Sequence, residues 1–265
     1  MSKTNIDVIN KKLLTYQRKW FVEIVEDWVS NSTNNQKKKK HFSKYAEAIG
    51  FSEPFFTSVY ATDGNLPKVL FMGQETNGWG NYSNFDGTDK ALIKSQEFVA
   101  EFTKNNIAIR DKHLKIQDCK GYDPHIFWQF VRNVYDKTGN GIHIIWTELD
   151  KIQYYCGNKY YKLWAEDENL LNRPVENGKT MLLLEIETIK PDYIVFLIGP
   201  KYSQSMGTAL DRMDIKDHTP TFDDPIVCFE LFGTPCLWTY HPSTLRCKKM
   251  WDYALNKIVK EINKN

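Results

Sequence analysis

The chain has 265 residues, 42% hydrophobic and 14% aromatic, enough to bury a sizeable core in one domain or in one domain with elaborations. Lysine plus arginine outnumber aspartate plus glutamate by 35 to 33, so an anionic partner has to be met by a local patch rather than by the field of the whole molecule. No apolar run reaches the length of a membrane span, and the opening MSKTNIDVINKK is polar where a signal peptide needs an apolar core, so a cytoplasmic protein without a membrane partner is expected.

Apolar positions at helical spacing between Val8 and Trp28, among them Leu13, Trp20, Ile24 and Trp28, predict an amphipathic N-terminal helix. The polar stretch from Ser30 to Gln36 and the run Lys37 to Lys40 read as a solvated loop. A second helix is expected over 41–50, closed by Gly50. After Pro67 the run Lys68 to Met72 reads as a buried strand that turns into a tight loop at Gly73. Helices are expected over 89–105 and 124–137, the latter with Pro124 in its first turn, followed by a β-branched strand over 141–147.

The segment GKTMLLLEIETIKPDYIVFLIGP predicts a helix from Thr180 to Lys190 stopped by Pro191, then a strand ended by Gly199 and Pro200. A strand from Cys236 to Tyr240 follows, with another in IVCFELFG before it, and a C-terminal helix starts near Ser243 or Thr244. With no repeat and no linker, the expectation is a single domain, in which 1–66 form a helical elaboration and 67–265 the α/β core. Strands alternating with helices predict a three-layer α/β/α sandwich around a mostly parallel sheet. Ligands of such sheets bind beyond the carboxyl ends of the strands. Four strands here run into small or polar clusters: GQETN (73–77), TELDK (147–151), GPKYS (199–203) and HPSTLR (241–246).

Two of these clusters carry a family resemblance. GQETN resembles the water-activating loop GQDPY of the uracil-DNA glycosylase superfamily, and HPSTLR resembles its HPSPLS loop, in the family's order and each after a strand. IIWTELDKI (144–152) resembles the strand that presents the family's base-reading Asn, and VFLIGP its third strand. The resemblance runs from about Pro67 to the C-terminal helix.

It implies an α/β/α sandwich acting on DNA as a monomeric, monofunctional glycosylase without metal or cofactor, with water as nucleophile. The chemistry suits the residues on its own terms. Breaking an N-glycosidic bond passes through a sugar cation and expels a base anion, so a carboxylate is wanted beside the sugar and a donor beside the base. Glu75 would supply the first and His241 the second, with Asn77 as a further water-positioning candidate. The five cysteines, Cys119, Cys156, Cys228, Cys236 and Cys247, show no CxxC pair or ligand spacing, in keeping with free thiols and no cluster.

The same loops would meet DNA and the flipped base. Ser243 would join backbone N–H groups on a phosphate, with Lys201, Arg246, Lys248 and Lys249 as local positive charge, and a solvated helix face is the main competing reading for the basic residues of that helix. Leu245 matches the family's minor-groove wedge, and a first-turn residue packed on the core is the competing reading. Gln74, Thr147 and Glu148 are candidate base contacts, and Trp79, Tyr82 or Phe85 would stack on the base.

The departures bear on specificity. Glu75-Thr76-Asn77 replaces Asp-Pro-Tyr, removing the ring that guards the pyrimidine 5-position, and Thr147-Glu148 stands where Asn is expected. A cytosine enlarged at its 5-position is therefore one expected substrate, for repair or for defence against phages with modified bases. Uracil excision, and a binding module of the same fold without turnover, are the alternatives. Glu148 pairing with Lys151 while Thr147 faces the base stays open, and Lys151 and Lys201 are the candidates for a Schiff-base amine.

Overall fold

The structure is a computed structural model that describes residues 3–34, 50–62, 65–75, 87–108, 126–156, 159–161, 163 and 165–264. The expected helix over 41–49, the lysine run, Cys119 and the residues Asn77, Trp79, Tyr82 and Phe85 lie outside them.

The N-terminal helix is longer than its apolar stripe suggests and is interrupted. Helix α1 (Lys3–Trp20) passes through a π-helical turn (Phe21–Val25) into α2 (Glu26–Asn34). The wider turn shifts the angular phase of the chain, so that Trp20, Phe21, Ile24, Val25 and Trp28 are all buried in one apolar cluster. Strand β1 (Gly50–Phe51) follows, so the glycine expected to close a helix is in an extended pairing instead.

Strand β2 (Lys68–Glu75) does not stop at Met72. It continues through Gly73 to Glu75 because the neighbouring strand supplies partners that far: Gly73 is in register with Glu148 and Glu75 with Asp150. Helices α3 (Asp89–Ala108) and α4 (Ile126–Lys137) lead to β3 (His143–Asp150), every residue of which is buried. The short strands β4 (Tyr154–Cys156) and β5 (Lys159–Tyr161) form a separate three-stranded sheet with β1. Next come α5 (Ala165–Leu171) and α6 (Met181–Ile189), the latter capped by the Thr180 hydroxyl and closed at Lys190, whose φ of 48° ends the helix.

Strand β6 (Tyr193–Leu197), helix α7 (Ser203–Ala209) and the hairpin β7 (Ile226–Leu231) and β8 (Thr234–Thr239) complete the sheet. The expected C-terminal helix is two helices, α8 (Pro242–Cys247) and α9 (Trp251–Ile262), separated where Lys249 adopts a φ of 58°.

The central sheet has five strands in the order β3-β2-β6-β8-β7, parallel except for the β7 edge. Alternate residues of each strand enter different cores. Val69, Phe71, Ile144, Trp146 and Val195 pack with α3, α4, α8 and α9. Leu70, Met72, Ile145, Ile194 and Phe196 pack with α1, α6 and α7. The fold is thus a three-layer α/β/α sandwich, and the carboxyl ends of β3, β2, β6 and β8 share one rim.

Candidate active site

The rim gathers Gln74 and Glu75 from β2, Glu148 from β3, Lys201 from the turn after β6 and His241 from the end of β8. Neighbouring strands lie about 4.8 Å apart, so the ends of β2 and β8, with β6 between them, are separated by roughly 10 Å. Glu75 is the last residue of β2, in register with Asp150. Gln74 falls on the sheet face opposite Gly73 and is half-buried.

His241 is fixed by the helix it starts. The backbone N–H of Ser243 donates to its Nδ1 at 3.2 Å, and the Ser243 hydroxyl lies 2.7 Å from the same nitrogen. A backbone N–H can only donate, so Nδ1 is the acceptor and the neutral ring carries its hydrogen on Nε2. The imidazole caps α8 in place of the usual serine or aspartate, with Pro242 in the first turn. Ser243, expected on a phosphate, here orients the histidine.

Glu148 is buried on the face shared by Trp146 and Gly73. The Trp146 indole N–H donates to Glu148 Oε1 at 2.8 Å, and Trp146 is itself held edge-on by Phe55 and Trp128, at centroid distances of 4.6 and 5.0 Å. The carboxylate lies directly over Gly73, where a Cβ would come within 2.2 Å of Oε2. Gly73 therefore serves close approach, and what approaches it is a carboxylate of the neighbouring strand.

Two expectations for this strand are corrected. Lys151 does not pair with Glu148: its ammonium donates to Glu185 Oε2 at 2.8 Å and to Thr147 Oγ1 at 2.9 Å, with Thr57 Oγ1 at 3.5 Å. Thr147 is fully buried on the other face of β3, accepting from Thr57 at 2.8 Å and donating to Glu185 at 3.0 Å, so its hydroxyl is spent within the protein. Composition gave no signal for this network, because its members come from β3, α6 and the 52–62 segment. Lys151, with its hydrogens on these oxygens, is a structural cation and not an amine nucleophile.

Leu245 is also corrected. It is fully buried among the residues of α4 and α9 instead of projecting from the rim, because the first turn of α8 seats on that core. Arg246 is exposed, donating to Gln129 Oε1 at 2.7 Å with its guanidinium 4.8 Å from the Trp251 ring. Lys201 sits 4.7 Å from the Tyr202 ring, and Lys248 and Lys249 are exposed beyond α8. Beside His241, the Tyr240 ring stacks on Phe222 with centroids 5.1 Å apart. Sequence reading passed over Phe222 because an aromatic in a short turn carries no periodic signal.

Among the described residues no group of three or more His, Cys, Asp or Glu is arranged to hold a metal ion, and Cys228, Cys236 and Cys247 are free thiols. Burial pushes the Cys236 thiol up to about 12, away from thiolate chemistry. No helix among the described residues is long and apolar enough to cross a membrane. No family model and no curated protein matches the chain.

Proposed function

We propose that the protein is a monofunctional DNA glycosylase that hydrolyses the N-glycosidic bond of a modified pyrimidine flipped out of DNA, with a cytosine enlarged at its 5-position as the preferred base. The observation that carries this reading is the His241 ring, locked by Ser243 with an Nε2–H donor at the rim, across from the end of β2 where Glu75 sits. As the bond from C1′ to the base nitrogen breaks, its electron pair leaves with the base and His241 donates to the base oxygen where negative charge grows. The Glu75 carboxylate stabilises the positive sugar and accepts a proton from the water that attacks C1′. The engagement of Lys151 with Glu185 and Thr147 favours water over a lysine amine as nucleophile.

Glu148 supports the choice of base. An ionised carboxylate offers only acceptors, which match the amino group of cytosine and oppose the O4 of uracil. Uracil is the alternative, with Glu148 protonated.

The test is mass spectrometry of bases released from matched DNAs carrying uracil, 5-hydroxymethylcytosine or its glucosylated form. Release of a cytosine derivative is expected, and Glu75→Gln should lower its rate on the order of 100-fold with the fold unchanged. Efficient release of uracil alone would reject the cytosine assignment. DNA binding with no base released would leave a binding module, and a folded Glu75→Gln protein at full rate would clear Glu75 of its role.

A further inference from the structure

Phe222 stands at the tip of the turn before β7 with 57% of its surface exposed, yet its ring is not loose. It lies flat on Tyr240, the two planes 10° apart. The Tyr240 hydroxyl is tied to the Pro220 carbonyl at 3.1 Å, and the turn is closed by Thr221 N–H to the Asp224 carbonyl and Asp224 N–H to Thr221 Oγ1, both at 3.0 Å. The outcome is a solvent-facing aromatic ring held in a fixed orientation, stacked on the residue that precedes His241. Lys248 Nζ is 5.1 Å from the centre of that ring. Of the neighbouring acids, Asp224 faces Lys257 at 3.5 Å and Asp223 is exposed to solvent.

One face of the Phe222 ring covers Tyr240, and more than half of its surface is left to solvent. A rigid aromatic face with a cation beside it is what a nucleobase and its phosphate need: the ring accepts any base by stacking and the ammonium neutralises the phosphate. We infer that Phe222 and Lys248 form a docking platform for one unstacked base, with its phosphate, from the DNA strand beside the nucleotide held at His241. The inference rests on the glycosylase reading of the rim. As the base arrives, the Lys248 ammonium leaves the ring for the phosphate, and the ring exchanges a cation for a stacked base. A platform of this kind favours DNA whose neighbouring base is already unstacked, so single-stranded or frayed sites are preferred over intact duplex.

The experiment uses single-stranded oligonucleotides with a tetrahydrofuran abasic analogue and 2-aminopurine on its 5′ or its 3′ side, titrated with wild-type, Phe222→Ala, Phe222→Leu, Phe222→Trp and Lys248→Ala proteins. Wild type should quench 2-aminopurine in one of the two positions. Phe222→Ala and Phe222→Leu should lose that quenching and bind about tenfold more weakly, whereas Phe222→Trp keeps both. Lys248→Ala should keep the quenching and reduce the salt dependence of binding by about one phosphate contact. Equal quenching and affinity in wild type, Phe222→Ala and Phe222→Leu would overturn the platform while leaving the glycosylase reading intact. A wild-type protein that neither binds these oligonucleotides nor releases a base would overturn both.

Discussion

At position 73 an added methyl group would collide with a carboxylate: its carbon would sit 2.2 Å from one oxygen of Glu148 and 2.5 Å from the other, inside any tolerable contact. Gly73 and Glu148 are therefore one unit, joined by the register of β2 and β3 and anchored by the Trp146 indole. Overpacking of this kind costs about 1–3 kcal/mol, so Gly73→Ala should lower stability by that amount in urea unfolding. In a Glu148→Ala background the collision partner is gone, and the same substitution should cost no more than about 0.5 kcal/mol. An equal cost in both backgrounds would mean that the glycine serves some other need. In the sequence Gly73 looked like the start of a turn. Glycine at a turn and glycine under a neighbour's side chain read alike until the partner strand is known.

The end of β3 is fastened to α6 by the ion pair of Lys151 and Glu185, with Thr147 and Thr57 filling out its hydrogen bonds. Both charges are almost wholly buried, so removing one leaves the other uncompensated in a poorly polarisable interior. Lys151→Met should cost about 3–5 kcal/mol in urea unfolding, and Lys151→Met with Glu185→Leu should restore most of that loss. A double variant as unstable as the single one would show that the pair's worth is its attraction and not the burden of a lone charge. At this scale the sequence was informative wherever an element carries its own punctuation. Thr180 and Pro191 bracket α6, and the apolar runs of β2, β3, β6 and β8 gave the layered fold and the rim. It was uninformative where tertiary contacts decide. The segment STLRCKKMWDY holds no glycine or proline, yet the chain breaks at Lys249, which lets Trp251 meet Phe130 edge-on at 4.8 Å. Likewise β1, β4 and β5 are too short to show a period and exist through one another.

Across the whole molecule the sheet has two unlike rims, and the one away from the candidate site carries a histidine whose titration bears on stability. His143 opens β3, fully buried with the Tyr60 ring edge-on at 4.8 Å. Burial, aided by the charge of Lys68, pushes its imidazole from the ordinary 6.5 down to about 4. Between those values the unfolded chain binds a proton that the folded chain refuses, so stability is highest above pH 6.5 and falls as the pH drops toward 4. The loss from this group is on the order of 3 kcal/mol. His143→Phe should flatten that part of the curve, measured by urea unfolding at pH 7.5, 6, 5 and roughly 4. An unchanged slope would place the acid sensitivity elsewhere. The same rim carries the turn joining β7 to β8, where Phe232 and Gly233 take φ values of 52° and 79°. Because all four parallel strands point away from that turn, it offers a handle: a dye or surface tether attached there would leave the opposite rim facing open solution, so that the proposed encounter with DNA could be tested on a single immobilised molecule.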